Sequence, residues 1–253
     1  MPPSSGQQTR LAQTLLDGSD RDLFRPILTN TVHILDIPTS DDLSIFDHGG
    51  PIGISPGYSA AGRLISLAIA DDKICRIVEF SSPQKNANQR ANGKPSTNIK
   101  PAALQKLQDH VLCRTAGDIY AFDMGPLTMS LHCDLKVRIT NAVDIQSAFS
   151  AIDRKALTAI KNALGTTGTI KISEINVTNV FFNPIYDFED KNRITDLAQR
   201  AWVSQYLVRS GNGAEMFEKV PRIDTKKLDN GVSYPISEIS QLLSKLLSTS
   251  AWM

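Results

Sequence analysis

Apolar and polar positions alternate without a break from Leu127 to Ile139. Leu127, Met129, Leu131, Cys133, Leu135, Val137 and Ile139 fall in one phase, and Thr128, Ser130, His132, Asp134, Lys136 and Arg138 in the other. Period-two alternation of this kind predicts a β-strand dry on one face and wet on the other. At ~3.3 Å per residue it would run roughly 40 Å. A sheet with one apolar face needs one cover, so the expected class is α+β, a mostly antiparallel sheet covered on one face by amphipathic helices.

The cover is expected next in the chain. Asn141 suits a helix N-cap, Asp144 suits the first turn, and Ile145, Ala148, Phe149, Ile152, Ala156, Ile160 and Leu164 form a helical stripe closed by Gly165. Residues 169–182 are expected to return as a strand with a bulge near Ser173. A second helix is predicted from Asp190 to Arg209 through Ile194, Leu197, Ala201 and Val208. A last one starts near Pro235, with Ile239, Leu242, Leu243, Leu246 and Leu247 as an apolar face that could meet a partner or a membrane.

In the N-terminal half, residues 1–10 are polar and rich in Pro, Ser and Gly, which predicts disorder. Residues 11–253 are expected to form a single domain. Thr31 to Ile37 predicts a strand ended by Pro38, and residues 38–61 a long structured loop. Arg63 to Phe80 predicts a hairpin that turns at Asp71-Asp72-Lys73. Residues 81–100 contain Lys85, Arg90, Lys94 and Lys100, no acid and almost nothing apolar, and are expected to be a mobile basic loop that contacts polyanions. Pro101 is expected to open a short helix.

Composition adds limits. Of 253 residues, 27 are basic and 26 acidic, so bulk charge does not suggest a wholesale nucleic-acid coat. Residues 81–140 nevertheless hold 8 basic side chains against 4 acidic, which makes that block the first place to look for an anionic partner. Cys75, Cys113 and Cys133 match no metal-ligand spacing and are expected to be reduced and buried. The first ten residues have no apolar signal region, and no apolar run approaches the ~20 residues of a membrane span. The expected location is therefore intracellular, in cytoplasm or nucleus.

Candidate chemistry is sparse. Asp71-Asp72 falls in a turn, where Asp is favoured for local hydrogen bonds. On a strand, His132 and Asp134 would point away from Cys133, so the three would not converge as a nucleophilic site. No phosphate loop, Gly-x-Ser-x-Gly elbow, His-Glu-x-x-His or Cys-x-x-Cys is present. The expectation is no enzyme, no cofactor and no metal. The alternative is a metal-dependent hydrolase whose site gathers Asp36, Asp41, Asp47 and His48 around the 38–61 loop.

Pro126 to Leu164, PLTMSLHCDLKVRITNAVDIQSAFSAIDRKALTAIKNAL, resembles the first strand–helix unit of rhabdovirus matrix proteins, most closely the plant-infecting type, with Lys136-Val137-Arg138 as the basic end of the strand. The resemblance implies a structural, self-associating virion protein linking a ribonucleoprotein to a membrane or envelope. Self, RNA and an anionic membrane surface would be its partners. Gly49 to Arg76, with Asp72 to Arg76 at the turn, resembles plant-virus movement proteins, which would imply binding of single-stranded nucleic acid.

Overall fold

The computed structural model describes residues 9–10, 16–17, 28–33, 43–80, 101–149, 155–164, 171–209 and 213–230. The basic segment with Lys85, Arg90, Lys94 and Lys100, and the C-terminal segment with Ile239, Leu242, Leu243, Leu246 and Leu247, lie outside the described residues. So do residues 1–8 and the candidate acids Asp36 and Asp41.

The strands in chain order are β1 (Thr9–Arg10), β2 (Leu16–Asp17), β3 (Leu28–His33), β4 (Ile52–Tyr58), β5 (Leu64–Ala70), β6 (Ile74–Glu79), β7 (Ile119–Ala121), β8 (Ala142–Asp144) and β9 (Lys171–Ile172). Seven of them form one sheet in the order β1-β3-β6-β5-β4-β7-β8, while β2 and β9 pair apart from it. The expected α+β class holds, but the sheet is mixed. The β3–β6, β4–β7 and β7–β8 pairs are parallel, and the β1–β3, β4–β5 and β5–β6 pairs antiparallel.

Helices cover both faces, not one. On one side lie α1 (Pro101–Leu107), continued by a wider turn over Gln108–Leu112, and α2 (Met124–Leu135). Their Leu107, Val111, Leu127 and Leu131 pack on Ile52, Ile54, Leu67 and Ile119 of the strands. On the other side lie α3 (Ala156–Leu164), α4 (Glu174–Phe182), α5 (Lys191–Arg209) and α6 (Gly213–Glu218). There Leu197, Ala198 and Ala201 meet Ala68, Ala70 and Ile77, and Val203 and Leu207 meet Tyr120 and Val143. Burial on both faces explains the near-continuous apolar run of Leu64–Ala70.

The hairpin at 63–80 and the helix near 190–209 form where the sequence places them. Asp71 Oδ1 accepts the backbone N–H groups of Lys73 and Ile74, which is the turn role expected of it. Four other expectations fail. Residues 127–139 are not one strand: Met124–Leu135 is helical, ended by Lys136 in the left-handed region at φ 59°. Leu127, Leu131 and Leu135 are spaced by four, a spacing shared by alternate strand positions and by one face of a helix. Burial separates the two readings, because Met129 and Cys133, in the supposedly dry phase, are exposed while Thr128 is buried.

The helix expected from Asn141 gives way to β8 and a tight turn at Ile145–Ala148, and α3 spans Ala156–Leu164. Asn141 itself has φ 53°, a left-handed geometry that Asn tolerates but a helix interior does not. The strand expected at 169–182 is β9 followed by α4, and Ser173 stands at the start of that helix, not in a bulge.

The predicted loop at 38–61 contains β4, a central strand. Its N–H groups at even positions face the β7 side: Ile52 donates to Asp118 O and Tyr58 to Pro184 O. Pairing with β7 covers only Ile52 and Gly53, so Pro56 sits where its missing N–H breaks no ladder bond. The odd positions, Gly53, Ser55 and Gly57, are small because α5 and its neighbours lie directly on them. A Cβ on Gly53 would come within 2.0 Å of Ala201 O.

Candidate functional site

Strands β4, β7 and β8 run the same way, so their carboxyl ends come to one edge of the sheet. In open α/β sheets that edge is where ligands sit. Here β4 runs on past the end of its pairing with β7, and at Tyr58 it meets the segment after α4. Tyr58 N–H donates to Pro184 O at 3.0 Å, and Tyr186 N–H to Tyr58 O at 2.8 Å. This end of β4 is met by Ser130 of α2, at Tyr58, and by Arg200 of α5, at Ser55 and Pro56.

Tyr58, Asp123, Ser130, Asp134 and Arg200 define this edge. Asp123 leaves β7 at φ 53° with its side chain exposed, and its N–H donates to Gln146 Oε1 at 2.8 Å. On α2, Ser130 Oγ donates to the Tyr58 hydroxyl at 3.4 Å. Asp134 Oδ2 accepts from Leu64 N–H at 2.8 Å. Burial pushes the half-buried Tyr58 phenol upward; the charges of Asp123 and Asp134 add to that, while the Ser130 bond and Arg200 oppose it. The phenol therefore stays protonated and can both donate and accept a hydrogen bond.

The last of these is Arg200 of α5, which is 7% exposed. Its Nε donates to Ser55 Oγ at 3.1 Å, Nη1 to Val180 O at 2.9 Å and Asn183 O at 3.2 Å, and Nη2 to Pro56 O at 3.5 Å. The guanidinium thus ties β4 to the carbonyl end of α4, where the helix dipole favours a cation. Burial lowers its pKa to about 10, against the opposing charge of Asp196. Just beyond this strap, Phe181 packs edge-on against Phe122 at 4.7 Å, while Phe182 projects outward and is 77% exposed.

The sequence-based candidates do not gather here. Asp47 and His48 precede β4 and lie at its opposite end. Asp47 bonds His110 Nδ1 at 3.0 Å, and His48 Nε2 bonds Asp71 at 3.1 Å, so the two engage separate partners. Among the described residues, no group of three or more His, Cys, Asp or Glu could hold a metal ion. Cys75 and Cys113 are buried, as expected, but Cys133 is exposed on the outer face of α2. Asp72, the start of the turn likened to movement proteins, pairs with Arg209 at 2.8 Å.

Sequence reasoning missed Tyr58, Asp123, Ser130 and Arg200. Only Arg200 left a usable signal. It stands at i+3 from Leu197 and i−4 from Ser204, inside the buried register of α5, where a charge needs partners.

No family model and no curated protein matches the chain. Among solved structures it is similar to the EXO domain of Nibbler from Aedes aegypti, with 12% identity and a TM-score of 0.53 over 94% of this chain and 99% of that one. A structure described as the apo form of a nuclease aligns at 12% identity over 72% of this chain and 76% of that one, with a TM-score of 0.44. The EXD2 exonuclease domain soaked in Mn and GMP aligns at 15% identity over 82% and 97%, with a TM-score of 0.33. Only the first is near enough to carry an argument, and what it shows is a shared fold.

That fold overturns the rhabdovirus matrix resemblance and, with it, the structural virion role. The resemblance needed one long strand from 127 to 139 lidded by a helix from Asn141, whereas Met124–Leu135 is helical and Ala142–Asp144 is a strand. The expectation of no enzyme, drawn from missing motifs, falls to the same finding, because the chain has the architecture of an exonuclease domain. Among the described residues no helix is long and apolar enough to cross a membrane.

Proposed function

We propose that this chain is a nucleic-acid-directed protein of the exonuclease fold, which receives a single strand at the carboxyl edge of β4 and β7. The observation that carries the reading is the shared fold, which spans nearly the whole of both chains. The edge chemistry supports it. The Tyr58 hydroxyl can donate to a phosphate or sugar oxygen, and Phe182, at the end of the helix whose following segment pairs with Tyr58, offers an exposed flat apolar ring. Stacking of a base on such a ring needs no sequence match.

The test is fluorescence anisotropy with labelled single-stranded RNA, single-stranded DNA and a duplex, at several salt concentrations. Single strands are expected to bind, more weakly as salt rises. Phe182→Ala should weaken binding about tenfold, within the ~1–3 kcal/mol that a stacked base contributes. Its melting temperature should not change, since the ring is mostly in solvent. Wild-type affinity in Phe182→Ala, or a preference for duplex, would defeat this placement of the strand.

A further inference from the structure

Phosphodiester hydrolysis is commonly run by a pair of divalent cations that clamp the attacking and leaving oxygens, and such cations are held by converging carboxylates. The residues at this edge do not fit that group. The row of β4 that faces α5 is Gly53, Ser55 and Gly57, without an acid. The space above the row is already filled. A Cβ on Gly57 would lie 2.1 Å from Ser66 Oγ and 2.8 Å from Tyr186 Cβ, and Ala201 O closes over Gly53. Over Ser55 between them lies the Arg200 guanidinium, a buried cation bonded to a hydroxyl and to main-chain oxygens. Hydroxyl and carbonyl oxygens are the donors a hard cation would use, and here they are taken. The carboxylates placed at this edge are Asp123 and Asp134, both close enough to act on Tyr58 through their charge. Asp134 Oδ2 already accepts from Leu64 N–H, and no third His, Cys, Asp or Glu joins them as a metal-holding group among the described residues. The fixed positive charge of Arg200 repels a further cation.

We infer that this edge holds its strand without a divalent cation, with the Arg200 guanidinium as the site's fixed positive charge. The inference rests on the nucleic-acid reading above only for the identity of the ligand. The guanidinium acts through its field and by setting the position of β4 against α4, while the strand contacts Tyr58 and Phe182.

Two measurements on the full chain test it. Calorimetric titration with Mn²⁺ alone, and with Mg²⁺ alone, is expected to give no saturable binding up to millimolar concentration. Saturable binding in the micromolar range overturns the inference whether or not a strand binds. Anisotropy with a labelled single strand is expected to give the same affinity in EDTA and in Mg²⁺, within twofold. Binding that needs the metal, or strand shortening that appears only with it, overturns the inference while leaving the nucleic-acid reading intact. No strand binding in either buffer defeats the nucleic-acid reading, and the metal titration then decides the inference.

The charge is tested by variants. Arg200→Lys should keep the affinity within a few-fold, and Arg200→Gln should weaken it several-fold more. Should Arg200→Gln fail to fold, Ser55→Asp places a carboxylate against the guanidinium and is expected to weaken the strand similarly. Equal affinity across the folded variants overturns the role given to the charge.

Discussion

Two guanidinium groups are buried at opposite ends of β4, and they are held in opposite ways. At the carboxyl end, Arg200 is 7% exposed and donates to Ser55, Pro56, Val180 and Asn183. At the amino end, Arg114 is 3% exposed, and none of its three guanidinium nitrogens has a hydrogen-bond partner among the described residues. Burial lowers the pKa of Arg114, while Asp47 and Asp118 oppose the shift through charge alone. Both carboxylates are engaged elsewhere, Asp47 by His110 and Asp118 by Arg222 at 2.6 Å.

Burial of a charge is therefore no measure of its importance. What matters is whether the groups around it would be stranded by its loss. Removing Arg200 leaves one hydroxyl and several main-chain oxygens inside the protein without a donor. Removing Arg114 strands nothing that the structure shows, and it relieves a desolvated cation. The carboxyl end of β4 is thus fastened by its arginine, whereas the opposite end carries one at a cost.

The largest effect should come from Arg200→Met. Orphaning the acceptors on β4 and α4 is expected to cost about 3–5 kcal/mol, read from urea unfolding as a fall in midpoint at constant slope. A loss below ~1 kcal/mol would mean that the strap does not fasten β4 to α4. Arg114→Met should go the other way, from neutral to about 2 kcal/mol more stable, because an apolar chain of similar volume needs no partners. Clear destabilisation would show that Arg114 has a partner at that end of β4 and would erase the contrast.

An exposed pair sets the lower limit. Arg209 and Asp72 form an ion pair with both side chains nearly half in solvent. Asp72→Asn should cost under ~1 kcal/mol at neutral pH and less in high salt. Burial pushes the Asp72 carboxyl up, but the Arg209 bond and charge outweigh it, so its folded pKa lies below the ordinary 3.8. A depressed pKa gives stability that is complete above 3.8 and lost as pH falls through the lower folded value. The difference between wild type and Asp72→Asn should therefore vanish in strong acid. A difference that persists there would belong to packing and not to the ion pair.

Several features of the protein were settled locally. The hairpin at 64–79 has apolar strands flanking an Asp-rich turn, and its geometry needs only neighbours in sequence. Helix α5 carries an apolar stripe long enough to identify itself. Even Arg200 was legible as a charge in that stripe, though not what it would bind.

What only the tertiary structure decided is the state of residues 124–135, the strand character of Ile52–Tyr58, and the site itself. Spacing by four is common to a strand face and a helix face, so Leu127, Leu131 and Leu135 could not choose between them. The choice came from packing against Ile52, Ile54 and Ile119. Gly53, Pro56 and Gly57 spell a loop by propensity, yet they form a central strand because α5 needs a surface without side chains and β7 ends before Pro56. The edge assembles Tyr58 of β4, Asp123 and Ser130 of the α2 segment and Arg200 of α5 from three stretches far apart in the chain, and no local spacing encodes a meeting that is made by the order of strands.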